Sequence, residues 1–341
     1  MLPAQLSRTG NDEEYEDLLG LWGDLESGLS MLLSRPLHAQ NFDGKIRQFD
    51  QWLQDLVAHD IDASLYLMFQ LAATSTVGYS TSHALVCGTL CHIMAREFRL
   101  PGNERNALVR AALTMNIGMT ALQDELAGQR ELPSAQQKEA IDAHPLKGQD
   151  ILAQLHITND LWLDLVGQHH TRVSESTPLF ELDAVDRLTR ILGTIDRYAA
   201  MISPRKSRPG RSATDSVRAL VGQEIEERDE VGLMLVRTVG LCPPGTFVRL
   251  DNNDIAVVLR RSDKPNLPLV ASLIDGHNHP LNEALLHQTA QGKPRIQSAL
   301  ARTAVTVELN HRTMMRLGQY AAQHITPFSG SANQPTQPMP L

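Results

Sequence analysis

Leu18, Leu19, Leu21, Trp22, Leu25, Leu29, Leu32 and Leu33 recur at helical spacing across 12–33. Acidic residues fill the first turns of that stretch, where a helix dipole favours negative charge. The run from Pro36 to Gly44 breaks the pattern. Phe49, Trp52, Leu53 and Leu56 then mark an amphipathic helix over 45–58, and 63–74 reads as a third. From Ser80 the pattern predicts helix after helix. Thr81 or Ser82 caps one that runs to Phe98. The next spans 103–116 and stops at Gly118. Ser134 with Gln137 forms a capping-box pattern for a helix that ends at His144-Pro145. Pro145 suits the first turn of a further helix over 145–154. Segments 159–170, 183–201 and 213–226 continue the series.

After Gly240 the period shortens. Segments 246–250 and 255–260 read as strands around the turn signal Asp251-Asn252-Asn253, with a third strand over 267–273. Segment 310–325 reads as helix, and from Pro327 the composition is that of a disordered tail. No internal repeat is evident. The expected class is mainly α. It divides into a helical N-terminal region over 1–60, a main helical domain over 61–241, a small β-containing C-terminal module over 242–326, and a tail over 327–341. The first region either packs on the main domain or serves as a dimerising arm.

Composition narrows the function classes. The 341 residues suggest about two domains. The apolar fraction of 42% supports a real core, and aromatics at 4% leave it to Leu, Ile, Val, Ala and Met. A formal net charge of −8 argues against general binding to nucleic acid or an anionic membrane. Three cysteines, Cys87, Cys91 and Cys242, suit a reducing cytosol better than a disulfide framework. Neither a signal peptide nor a membrane span is expected, so a cytoplasmic protein is.

The chemistry gathers between Tyr79 and Asp196. His83, His144, the pair His169-His170 and Asp196 each fall near a helix end or on one helix face. Imidazoles bind zinc, iron, manganese or nickel, and a carboxylate adds a hard oxygen. The bland alternative is that a single His such as His83 is a satisfied core residue. Cys87 and Cys91, one helical turn apart, offer a pair of soft ligands beside His83 as one reading, and buried structural thiols as the preferred one. The stretch Ser203 to Ser212 carries four basic residues, Arg205, Lys206, Arg208 and Arg211, and no acid. It reads either as a solvated loop or as a cradle for phosphate.

In order, Tyr79-Ser-Thr-Ser-His83, Met115-Asn-Ile-Gly-Met119, His144-Pro-Leu-Lys-Gly148, His169-His170, Asp196-Arg-Tyr198 and Pro244-Gly-Thr-Phe-Val-Arg-Leu250 resemble the HD-GYP domain. This is a subfamily of the HD metal-dependent phosphohydrolases, and the likeness covers about 60–260. It implies an HD-type helical bundle holding iron or manganese, and hydrolysis of cyclic di-GMP to pGpG or GMP. It further implies that His83, His144, His169, His170 and Asp196 are metal ligands. Arg205 and Arg208 would hold the dinucleotide phosphates.

The departures fall at the centre. The family's His-Asp doublet is replaced by Met115 and Asn116, and its following Lys by Met119. Met115 and Met119 then read as cavity packing, and no catalytic residue is assigned. The Glu after the His pair is Thr171. The Gly-Tyr-Pro signature is absent, with Ser174-Glu-Ser-Thr-Pro178 in its place. The resemblance then implies a degenerate member of bacterial cyclic di-GMP signalling: a receptor or interaction module with little or no hydrolysis, holding one divalent ion or none. The alternative is a slow phosphodiesterase with a mononuclear or variant metal site. A GGDEF domain or another signalling protein is the partner class, and a homodimer stays open.

Overall fold

A computed structural model describes residues 12–74, 77–174, 176–207, 210–212, 214–216, 219, 229–305 and 307–324. Among these, eleven α-helices precede or flank one small antiparallel sheet. The helices are α1 Asp12–Ser34, α2 Phe42–His59, α3 Ile61–Thr74, α4 Tyr79–Glu97, α5 Gly102–Thr114, α6 Thr120–Gly128, α7 Ala135–Gln154, α8 Asp160–Gln168, α9 Ala184–Ile202, α10 Glu230–Val239 and α11 His311–His324. No helix among the described residues is long and apolar enough to cross a membrane.

Helix α4 is the axis of the bundle. Every residue from Ser80 to Ala95 is buried, and α1, α2, α3, α5, α6 and α9 all pack against it. A helix with no solvated face needs apolar or small residues all round. Gly88 is one of these: a Cβ there would stand 2.9 Å from Leu113 Cδ2. The close approach of α4 and α5 depends on that missing methyl.

Neither Thr81 nor Ser82 caps α4. The N-cap is Gly78, and the first turn is satisfied from outside. Asp124 on α6 accepts from the Ser80 backbone N–H at 2.7 Å and from Ser80 Oγ at 3.0 Å. An anionic acceptor at a helix N-terminus does the work of a local cap. Helix α6 itself had no reading in the apolar pattern. Its buried face is short, with Gln123 its buried residue.

A second difference concerns α7. The capping box of Ser134 and Gln137 is present, but the helix does not end at His144. It runs unbroken through Pro145 to Gln154. Helices α8 and α9 start where the pattern placed them, capped by Asn159 and Asp183. The helix expected over 213–226 falls largely outside the described residues, and the tail from 327 wholly so.

The sheet has strand order β4-β3-β2-β1-β5, all antiparallel, with β1 Phe247–Leu250, β2 Ile255–Arg260, β3 Leu269–Ile274, β4 Pro280–Gln288 and β5 Ile296–Leu300. The last two strands and α10 were not anticipated. Strands β4 and β5 contain no fully buried residue, so their apolar alternation is weak and did not mark them as strands. The inner strands split by period two. Phe247, Ile255, Val257, Leu259, Ala271 and Leu273 join the main helical core, whereas Val248, Leu250, Ala256, Val258 and Val270 form a small second one.

Ion pairs from Arg260 and Arg261 to Asp60 and Asp62 fasten the sheet to the start of α3. Arg260 holds Asp60 through both guanidinium nitrogens at 2.7 and 3.1 Å, and Arg261 Nε reaches Asp62 at 2.6 Å. Asp60 also accepts from the Asp62 and Ala63 backbone N–H groups, so one carboxylate both starts α3 and holds β2.

Candidate metal centre

His144 lies inside α7, His169 closes α8, and His170 follows it. The three rings converge, with centroids 5.0, 5.1 and 4.1 Å apart, and one ring nitrogen of each lies within 4.8 Å of the others. His144 and His169 are buried; His170 is exposed.

Backbone carbonyls fix the tautomers of the two buried rings. His144 Nδ1 donates to Ile141 O at 2.5 Å, and His169 Nδ1 donates to Val166 O at 2.8 Å. A carbonyl only accepts, so both Nδ1 atoms carry their N–H. In the neutral rings both Nε2 atoms are then bare lone pairs. They face each other at 3.1 Å.

The sequence supplies the Ile141 acceptor through Pro145. Proline has no N–H, so the carbonyl four residues earlier loses its helical donor. That carbonyl is Ile141, and the His144 ring takes the vacant place. Val166 is in the last turn of α8, where carbonyls are also without intrahelical partners. Each ring is thereby aimed by a carbonyl that its own helix leaves free.

A proton does not relieve the Nε2 contact at neutral pH. Burial lowers the His144 pKa below the usual imidazole value, against the opposing pull of the Ile141 carbonyl. Burial lowers His169 further, to about 3, assisted by the neighbouring His170. A cation fits instead. Two ligands about 2.1 Å from one ion stand roughly 3.0–3.4 Å apart at octahedral or tetrahedral angles. The outward hydrogen bonds match as well, because metal-binding His commonly donates its other N–H to a carbonyl.

Across α4 and α9 lies the second group. His83 Nε2 donates to Asp196 Oδ1 at 2.8 Å, and Cys87 Sγ sits 3.6 Å from the same nitrogen. These donors also lie within 4.8 Å of one another. Burial alone would raise the Asp196 pKa. The hydrogen bond from His83 and its charge, with His169 and His170 beyond, outweigh that and bring it to about 2. His83 Nδ1 is buried and has no hydrogen-bond partner among the described residues. Cys87, read from sequence as a packing thiol, shares the ligand cluster; its spacing of four residues from His83 on one helix was the available signal.

The Met115–Met119 segment turns against the same place. Met115 is buried in the main core, and Ile117–Met119 form one 3₁₀ turn behind Asn116. A Cβ on Gly118 would stand 2.4 Å from His144 O and 2.9 Å from the Gly148 backbone nitrogen, so this turn presses on α7 beside His144. Met119 lines a groove of about 560 Å³ with Leu33, Pro36, Lys147 and Ile151.

Arg205 reaches the edge of the second group. Its Nη2 donates to Tyr79 Oη at 2.8 Å, and the guanidinium lies over the Tyr79 ring at 4.7 Å. Tyr79 in turn stacks on His83, with centroids 5.7 Å apart. The basic segment is tied down by Lys206 N–H donating to Ala127 O and Arg211 N–H donating to Met201 O. Arg208 lies outside the described residues.

No protein-family model matches the chain. A curated relative from Pseudomonas aeruginosa, named as a cyclic di-GMP phosphodiesterase, is 25% identical over 185 residues. The match spans 54% of this chain and 45% of that protein, so the chain corresponds to less than half of its relative.

Proposed function

We propose that this chain is a degenerate HD-GYP-type protein of cyclic di-GMP signalling, which binds divalent metal but hydrolyses little or no ligand. The observation that carries the metal is the 3.1 Å approach of two bare imidazole nitrogens, His144 Nε2 and His169 Nε2. The relative's name supports the ligand class. His144, His169 and His170 would hold one iron or manganese ion, and His83 with Asp196 would contribute to a second position.

When bound, a divalent ion supplies Lewis-acid polarisation of a phosphoryl oxygen and acidifies water. The protein's own groups set how far that chemistry proceeds. The Asn116 side chain is neutral, a poor bridge between two dications, whose mutual repulsion an anionic oxygen would offset. Met115 offers only a thioether. Arg205, held by Tyr79, places a cation beside His83, where a ligand phosphate would dock. The reading is thus capture of cyclic di-GMP with a weakened reaction centre, which suits a receptor or interaction module.

The test measures metal per chain, cyclic di-GMP affinity by calorimetry, and release of pGpG or GMP with Mn or Fe(II) present. Metal and ligand binding with turnover near background is expected. Slow but measurable turnover would favour the slow-phosphodiesterase alternative, and rapid turnover would overturn the reading of a weakened reaction centre. Absence of both binding and turnover would overturn the proposal.

A further inference from the structure

We propose that Cys87 is a metal ligand, and that His83, Cys87 and Asp196 form a mixed nitrogen, sulfur and oxygen site selective for zinc-like ions. The inference extends the metal-binding reading to a donor set that the His-series resemblance does not contain.

The distances favour a shared ion. A ligand nitrogen about 2.05 Å and a thiolate sulfur about 2.3 Å from one tetrahedral ion stand about 3.6 Å apart. Cys87 Sγ and His83 Nε2 are 3.6 Å apart without rearrangement. The His83 to Asp196 contact of 2.8 Å is shorter than the corresponding tetrahedral edge of about 3.3 Å. It would open by about 0.5 Å as the ion replaces the hydrogen bond. Asp196 is the half-buried member of the three and provides the side of entry.

The proton balance closes without a further reactant. The Cys87 S–H proton leaves to solvent as the metal–sulfur bond forms. His83 Nε2 must also lose its proton to bind. Its Nδ1 is unpartnered among the described residues, so it can take up the ring proton as the ion replaces the Nε2–H hydrogen bond to Asp196. His144 and His169 differ, since carbonyls fix both of them.

Ligand chemistry sets the metal preference. Thiolate favours zinc and similar borderline ions, whereas a carboxylate and water set favours manganese. Cys91, one turn farther along α4 and equally buried, is outside the cluster and serves as the control.

The decisive measurement loads metal-stripped full-length protein with Co(II) and records near-ultraviolet thiolate-to-cobalt charge transfer. The band should appear in the unmodified protein and in Cys91→Ser, and vanish in Cys87→Ser. X-ray absorption of the zinc-loaded unmodified protein should show a sulfur neighbour at about 2.3 Å, which requires no variant to fold. His169→Ala should lose one equivalent of metal and keep the band. A band lost in Cys91→Ser but kept in Cys87→Ser, or no sulfur neighbour at all, overturns the proposal. Retention of full metal content in His169→Ala would instead count against the three-histidine site and leave this one standing.

Discussion

His144 Nε2 and His169 Nε2 face each other at 3.1 Å while each ring's Nδ1–H is committed to a backbone carbonyl. Two like lone pairs in a buried place are held together by the packing of α7 on α8, an arrangement that a shared cation would relieve. His169→Ala is therefore expected to weaken metal binding by at least about 100-fold, the upper range even for outer-shell changes. Metal content after dialysis against a weak chelator measures it. Retention equal to that of the unmodified protein would count against the site.

Pro145 acts on the same pair from inside α7. Pro145→Ala returns an N–H to the Ile141 carbonyl and releases the His144 ring from its tautomer. Metal affinity should fall about 10–100-fold, while thermal stability stays level or rises because the helix regains a bond. Unchanged affinity by calorimetry would refute this role for the proline.

The depressed imidazole pKa values give metal-free protein a directional pH response. In the unfolded chain the histidines take up protons near pH 6.5, whereas folded His169 does so only near 3. Unfolding thus binds protons below pH 6.5, and stability falls by about 1.4 kcal/mol per pH unit for that residue until about pH 3. His144 adds in the same direction. Asp196 acts lower down: its contribution is present above pH 3.8 and is lost as pH falls through about 2. Denaturant titrations between pH 7 and 4 should show the slope, and His169→Gln should flatten it. An equal slope in the variant contradicts the assignment.

The Met115-Asn116 pair tests the proposed weakening of the reaction centre. The double variant Met115→His with Asn116→Asp introduces the imidazole and the anionic oxygen that the HD-GYP resemblance expects at these two positions. Turnover of cyclic di-GMP should rise by at least about 10-fold, the lower end of ligand-environment effects. Anomalous scattering showing two full ions beside Asn116 in the unmodified protein would end the premise.

Gly245 anchors the sheet at α3. Its φ is +87°, and a Cβ would stand 2.6 Å from Tyr66 O. Its N–H donates to Val258 O, and its carbonyl accepts from Gln70 Nε2. Gly245→Ala should cost about 1–3 kcal/mol from backbone strain, read by urea denaturation. No loss would mean that the turn can re-form elsewhere.

The helical series was legible because α1, α2, α8 and α9 each bury one face, and burial of one face writes a period into the chain. The start of α7 was legible from Ser134 and Gln137, whose bonds are local. Its continuation was not. Pro145 normally reads as a helix start, and only the ring of His144 bonding to Ile141 reveals why the proline is tolerated in mid-helix. The cap of α4 was misplaced for a related reason: Asp124 supplies it from 44 residues away. Strands β4 and β5, with no fully buried residue, carried only a weak apolar rhythm.

Residue order and spacing determined by themselves that the chain is mainly helical, that four histidines and an aspartate form an ordered series, and that Met115 and Asn116 stand between His83 and His144. Those are properties of local period and residue type. Tertiary structure decided which donors share a point in space. It divided the series into a three-histidine group and a His83–Asp196 group, and it brought Cys87 into the latter. Only the packing of α4 against α9 and of α7 against α8 fixes such distances, since they join residues far apart along the chain.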